Sequence, residues 1–160
     1  MTTTSMLTYP SAVAITLTAT SLAAGAWRQG TVVDNTTNLY MDATFGGSFQ
    51  TGATTNVAGE TIDIYLYASW DSTLYTAGAS GTDGAYTADG EESGFHFVHS
   101  IVVDATDNQD YLWGPFNVLS VLGHMPPKWG IVIENNCTPA LNATGTNNSL
   151  KYTGLKYASA

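Results

Sequence analysis

The chain has 160 residues, of which 44% are hydrophobic, and a formal net charge of −9 from 13 Asp and Glu against four Lys and Arg. That length is one ordinary domain, long enough to bury a core without metal or disulfide staples. Arg28, Lys128, Lys151 and Lys156 are too few and too dispersed to neutralise a phosphate backbone or grip an anionic membrane, which argues against nucleic acid and membrane as partners.

Charged residues make up only 11% of the chain, and Thr (24 residues), Ser, Asn and Gly supply the polar surface instead. Thr suits strands, and Asn and Gly suit turns, so composition leans to β. Cys137 is the only cysteine. No intramolecular disulfide can form, which fits assembly in a reducing cytoplasm, and the thiol is expected to be buried. The N-terminus lacks the basic start and apolar run of a signal peptide, and no apolar run of about 18 residues predicts a membrane span.

Residues 1–11 are polar and carry too few apolar groups to offset the roughly 1–2 kcal/mol per residue that ordering backbone costs. They are predicted to be an arm tied down only by a partner, and residues 12–160 a single sandwich domain. Alternation in residues 12–19 sets Ile15 and Leu17 against Thr16 and Thr18. Residues 26–34 read as a strand bulged around Gly30. Residues 38–50 put Leu39, Met41, Ala43 and Phe45 on one face. In residues 61–70, Ile62, Ile64, Leu66, Ala68 and Trp70 share one face, and Thr61, Asp63, Tyr65, Tyr67 and Ser69 the other. Further strands are expected at 95–104, 111–122 (interrupted by Gly114-Pro115), 129–135 and 150–158. The predicted core includes Ile15, Leu17, Leu39, Met41, Ile62, Ile64, Leu66, Phe97, Ile101, Ile131 and Ile133. Residues 71–94 form a long Gly-rich loop, with Tyr75 and Tyr86 placed to anchor it. About eight strands between turn signals predict an all-β fold, a jelly-roll-like two-sheet sandwich of antiparallel strands.

Nothing in the string is arranged for chemistry, so no enzyme, cofactor or metal site is predicted. His96 and His99 sit three apart in a strand and therefore on opposite faces, unable to share one ion. His124 lies alone in a turn. Asp104, Asp107 and Asp110 crowd one segment at a spacing that suits oxygen ligands of Ca²⁺, but Asp is also an ordinary turn residue. Cys137 has no sequence-local base to activate it. The stronger signal is aromatic. Tyr65 and Tyr67 lie opposite the apolar face of the clearest strand, either on the surface or under a second packed layer. Surface Tyr suits protein interfaces, and Tyr65, Tyr67, Trp27 and Arg28 are the candidate interface residues.

The segments Ala26-Trp27-Arg28-Gln29-Gly30, Asp34 to Ala43, Gly46-Gly47, Ile64-Tyr65-Leu66-Tyr67, Trp113-Gly114-Pro115-Phe116, Pro127 to Asn135 and Tyr152-Thr153-Gly154 resemble small virion structural proteins of tailed bacteriophages. The resemblance covers roughly residues 13–158. It implies a capsid cement or decoration protein on the outside of the major capsid shell, a jelly-roll homotrimer assembled in the host cytoplasm. The long 71–94 loop matches no motif of that kind. The alternative is a tail fibre or receptor-binding head domain recognising a host glycan or protein. Such a tip usually belongs to a longer chain with a fibrous stem, and this chain shows no heptads or repeats.

Overall fold

The computed structural model of the chain describes residues 5–159. Its strands are β1 (Ser5–Thr8), β2 (Val13–Ala14), β3 (Ala26–Gln29), β4 (Val33–Asp34), β5 (Asp42–Gln50), β6 (Thr61–Ser69), β7 (Gly84–Tyr86), β8 (His96–Val102), β9 (Asp110–Asn117), β10 (Lys128–Asn135) and β11 (Ser149–Ser159). Two short helices, α1 (Asn35–Asn38) and α2 (Val118–Leu122), interrupt them. No helix among the described residues is long and apolar enough to cross a membrane.

One sheet has the order β1-β11-β5-β9, with β2 also on β11; the other has the order β7-β3-β10-β6-β8, with β4 also on β10. Strands β3 and β4 are one strand in two pieces. Gln29 pairs with Val132 and Val33 with Trp129, so three residues from Gly30 to Val32 face two on β10, the bulge expected at Gly30. With β1 and β2 joined in the same way and the three-residue β7 set aside, eight strands remain, four to a sheet. The chain changes sheet at every step except from β6 to β8, and all its pairings are antiparallel. That winding is a jelly roll, as expected.

The core lies between the sheets because their inward positions are apolar. Ile62, Ile64 and Leu66 of β6, Ile131 and Ile133 of β10, and Phe45 and Phe49 of β5 are all buried. Trp129 sits among them, its ring 5.7 Å from Phe45 and 5.6 Å from Tyr152. Each such side chain contributes about 1.5–3 kcal/mol by leaving water.

Three predicted core residues face solvent. The β5 alternation, extended backwards, predicts Leu39 and Met41 inward, but a helical turn intervenes. Asp34 caps α1 by accepting from the Thr36 amide at 2.8 Å, and Leu39 closes it at φ 53°. The buried Asn35 side chain then brackets Tyr40, accepting from its N–H at 2.7 Å and donating to its C=O at 3.0 Å. Tyr40 is thereby turned inward, and Leu39 and Met41 outward. Phe97 is displaced by a register shift. Ile64 pairs with His99 but Tyr65 pairs with Phe97, so Val98 is an extra residue and everything before it changes face. The predicted strand 111–122 also ends early: β9 stops at Asn117 and α2 follows, burying Val118 and Leu122. In the predicted strand 12–19 only Val13 and Ala14 are paired as a strand, although Ile15, Leu17 and Ala19 are buried. Trp70 is exposed beyond the end of β6.

The expected arm is also corrected in part. Ser5–Thr8 is not left to a partner but pairs with the chain's own last strand, Leu7 opposite Tyr157 and Thr8 opposite Lys156. Backbone bonds to an open edge, rather than burial, hold it, since Ser5, Met6 and Leu7 are exposed. Residues 1–4 of the predicted arm lie outside the described residues.

Candidate binding face

The outer faces of the two sheets are finished differently. On the β10–β6 sheet, Tyr65 and Tyr67 point away from the core, as the alternation requires. The loop between β6 and β8 folds back over them. Tyr67 is fully buried beneath it, with Ala79, Phe95 and Val132. Its ring lies across Gly130, where an added Cβ would come within 2.3 Å of Tyr67 Cζ, and its hydroxyl donates to the Gly30 carbonyl at 2.6 Å. Burial raises the phenol's pKa above its ordinary value, with Tyr75 adding to the shift. Tyr75 packs edge-on to Tyr67 at 5.7 Å, and Tyr86 donates to the Ala77 carbonyl at 2.7 Å while its strand pairs with β3. Both anchor the loop as expected.

The four candidate interface residues therefore divide. Tyr67 is sealed under its own loop and offers nothing to a partner. Tyr65 and Trp27 are half-buried and stacked on each other at 5.2 Å, and burial pushes the Tyr65 hydroxyl up to about 12, helped by Asp63 and Glu134. Arg28, next to Trp27 in the strand, points the other way and holds Asp83 of the loop, Nε to Oδ1 at 2.9 Å. Phe95, buried, and Phe97, exposed and 5.7 Å from Tyr65, complete the cluster; their place on this face was not legible without the β8 register shift.

Most of the other expected positions make local structural contacts. His99 packs on Phe116 at 5.4 Å, His96 is exposed, and His124 Nδ1 lies 3.0 Å from the Leu122 carbonyl. Asp104 accepts from the Thr106 amide at 2.7 Å, Asp107 from Asn56 at 2.7 Å, and Asp110 from Gln50 at 2.9 Å. The first stabilises a turn, the second ties two loops together and the third spans the paired strands β5 and β9. Among the described residues no three His, Cys, Asp or Glu side chains converge as metal ligands. Cys137 is buried, and burial pushes its thiol up to about 11.

Among the described residues, the outer face of the β11-β5-β9 sheet carries no such cover. Gly114 and Pro115 of β9 stand opposite the single residue Gly46 of β5, a bulge that dents the sheet. Neighbouring backbones close in at this point: a Cβ on Gly46 would meet the Trp113 carbonyl at 2.8 Å, and one on Gly47 the Ser149 carbonyl at 2.1 Å. The result is an open groove of about 440 Å³ edged by Thr44, Ser48, Leu112, Pro115, Ser149 and Lys151. Leu112 is 88% exposed, and Lys151 is the groove's one charge and makes no ion pair among the described residues. Hydroxyls, backbone, one leucine and one ammonium can hold a partner. Among the described residues no carboxylate, His or Cys lines the groove, and Lys151 and Tyr152 are its titratable groups. Sequence reasoning read Gly46-Gly47 and Gly114-Pro115 only as interruptions; that two such breaks lie side by side depends on the pairing of β5 with β9.

The fold and this face together define a jelly-roll domain with one self-covered and one open sheet. Compared with known proteins, the chain matches no family model, no curated protein and no solved structure.

Proposed function

We propose that the chain is a non-enzymatic bacteriophage particle protein, a decoration protein that seats on the outside of the major capsid shell as a homotrimer and stabilises it. The open face of the β11-β5-β9 sheet carries this reading. It presents an exposed leucine beside a hydroxyl-lined groove, while the opposite sheet uses the chain's own loop to cover its aromatic residues. The resemblance of the quoted segments to small virion proteins supports the particle assignment, and closed three-fold symmetry matches a three-fold position of an icosahedral shell. Binding only to the assembled shell stabilises it by about 2.7 kcal/mol per site at a hundredfold excess over Kd.

Recognition of a host glycan by a tail-tip domain is the poorer fit. That role favours aromatic rings gathered with open faces around one site, and here Trp27 and Tyr65 are stacked on each other while the exposed Trp70 and Tyr157 lie apart, one past the end of β6 and the other on β11. Electron microscopy of particles tests the assignment. Density for the chain on the shell exterior is expected, and particles stripped of it should break at lower temperature. Density at the tail would overturn the reading.

A further inference from the structure

The charges of this chain are segregated. Strands β1, β2 and β11 carry Lys151 and Lys156 and no carboxylate, whereas the rest of the sequence holds all 13 carboxylates against two cations. Those two are paired with carboxylates, Arg28 with Asp83 and Lys128 with Asp34 at 3.8 Å, whereas Lys156 lies 5.9 Å over the Tyr40 ring and has no carboxylate partner among the described residues.

The same strands leave apolar groups in water. Pairing of β11 with β5 ends at Leu155, opposite Asp42, and Lys156–Ser159 continues with β1 alone. Four residues of two-stranded ribbon thus run roughly 13 Å past β5. Met6, Leu7 and Tyr157 on it are exposed, Tyr157 by 62%. A two-stranded ribbon is marginal in water by itself, and contiguous exposed apolar groups mark a contact surface.

A complementary patch lies at the other end of the sandwich. There Val103 donates to the Glu60 carbonyl at 2.9 Å and Gly59 to the Val103 carbonyl at 2.9 Å, which brings Val57 and Val102 close to Glu60 and Asp104. Val57 and Val102 are exposed, Val102 by 63%. Hydrogen bonds from Thr138 hold the Glu60 carboxyl below its ordinary range, and bonds from Thr106 do the same for Asp104, so both stay ionised.

We infer that copies of this chain associate head to tail, the apolar ribbon of one, with Lys156 as its one cation, seated on the acidic Val57–Val102 patch of the next. The inference goes beyond the reading above and is independent of its trimer, because contacts at opposite ends of one sandwich add copies in a row. Complementarity selects a second copy as the occupant because the chain itself carries both halves of the contact. Such a contact is heterologous: different surfaces of the two copies meet.

Two double variants test it, Leu7→Asp with Tyr157→Asp on the ribbon and Val57→Lys with Val102→Lys on the patch. All four side chains are exposed, so unchanged thermal unfolding is the check that both variants fold. At low ionic strength, where screening extends to about 30 Å at 0.01 M, light scattering should give the unaltered chain a mass above one copy. Each double variant should be a single copy. Mixed in equal amounts they should form a one-to-one pair, since the first keeps an intact patch and the second an intact ribbon.

A single-copy mass for the unaltered chain at every concentration would overturn the inference, as would variants that still assemble or a mixture that stays unpaired. A single copy that still coats the shell would sink head-to-tail association and the trimer together and leave the shell location standing, whereas a shell contact that the ribbon variant abolishes would sink head-to-tail association alone. An oligomer that never binds shells would sink the decoration reading and leave this one standing.

Discussion

The outer faces of the two sheets begin from the same β-sandwich geometry and end differently. On the β10–β6 sheet the outward positions are Tyr65, Tyr67 and Val132, and the chain spends the loop from Asp71 to Phe95 covering them. On the β11–β5 sheet the outward positions are Thr44, Ser48, Ser149, Lys151 and Thr153, and no segment among the described residues crosses them. Outward aromatic residues cost too much to leave in water, so they recruit cover from their own chain. Outward hydroxyls carry no such cost and can wait for a partner. Large outward aromatics are therefore poor markers of an interface in this fold, and the less conspicuous polar face is the better candidate.

The largest effect should come from removing the residue that holds the cover down. Tyr67→Ala opens a cavity under the loop and leaves the Gly30 carbonyl without its donor, and should cost about 3–5 kcal/mol in urea unfolding. Tyr67→Phe removes only the hydroxyl and should cost about 1 kcal/mol. A loss below about 1 kcal/mol for Tyr67→Ala would mean that the loop is a surface ornament and that the two faces are alike.

A second, smaller effect should come from beneath the same ring. Gly130 has a backbone any residue can adopt, yet an added Cβ would run into the Tyr67 ring. Gly130→Ala should therefore destabilise by about 1–3 kcal/mol through overpacking, and combining it with Tyr67→Ala should recover part of that loss. Strict additivity of the two changes would show that ring and glycine do not touch.

Why some of this was legible in the sequence follows from the range of each cue. Alternation is local, so Ile62, Ile64 and Leu66 were placed inward correctly, and so were Ile131 and Ile133. The anchoring of the long loop by Tyr75 and Tyr86 was visible because aromatic residues in a Gly-rich segment have few other uses. Leu39, Met41 and Phe97 failed for one shared reason. A capped turn at Asp34 and one extra residue at Val98 each shift the count, and a period of two cannot survive a shift of one. The groove was illegible because its parts come from three strands whose adjacency is set by long-range pairing.

An acid-dependent effect should separate the faces further. Burial raises the Asp83 carboxyl's pKa, but bonds from Arg28 and Thr18 outweigh it and leave it below the ordinary range. A folded value below the unfolded one gives stability that is full above the ordinary Asp value near 4 and is lost as pH falls through the folded value. The Asp83 tether to Arg28 and Thr18 should thus loosen below about pH 4. Amide exchange, corrected for its intrinsic pH dependence, should rise there in residues 82–86 before it rises in β5 or β11. Asp83→Asn should show the loosened behaviour already at neutral pH. Simultaneous loosening of both sheets would mean that Asp83 does nothing particular for the loop.

The smallest effect on stability is expected at the residue with the largest proposed role. Leu112 is almost wholly exposed on β9, and it shares the groove with glycines, hydroxyls, Pro115 and Lys151 over a floor that includes Trp113 and Tyr152. Leu112→Asp removes no buried surface and leaves no polar group unpaired, so unfolding should move by no more than about 0.5 kcal/mol. The same change puts a carboxylate where a partner would have to desolvate it, and truncations at interface centres commonly cost about 2 kcal/mol or more in binding. Binding to shells should therefore weaken at least about thirtyfold, since each 1.4 kcal/mol is tenfold. The reciprocal change on the covered face, Phe97→Asp, should leave shell binding as it was. Equal binding by Leu112→Asp, with loss of binding by Phe97→Asp, would reverse the assignment of the two faces and make the aromatic side the one that meets the partner.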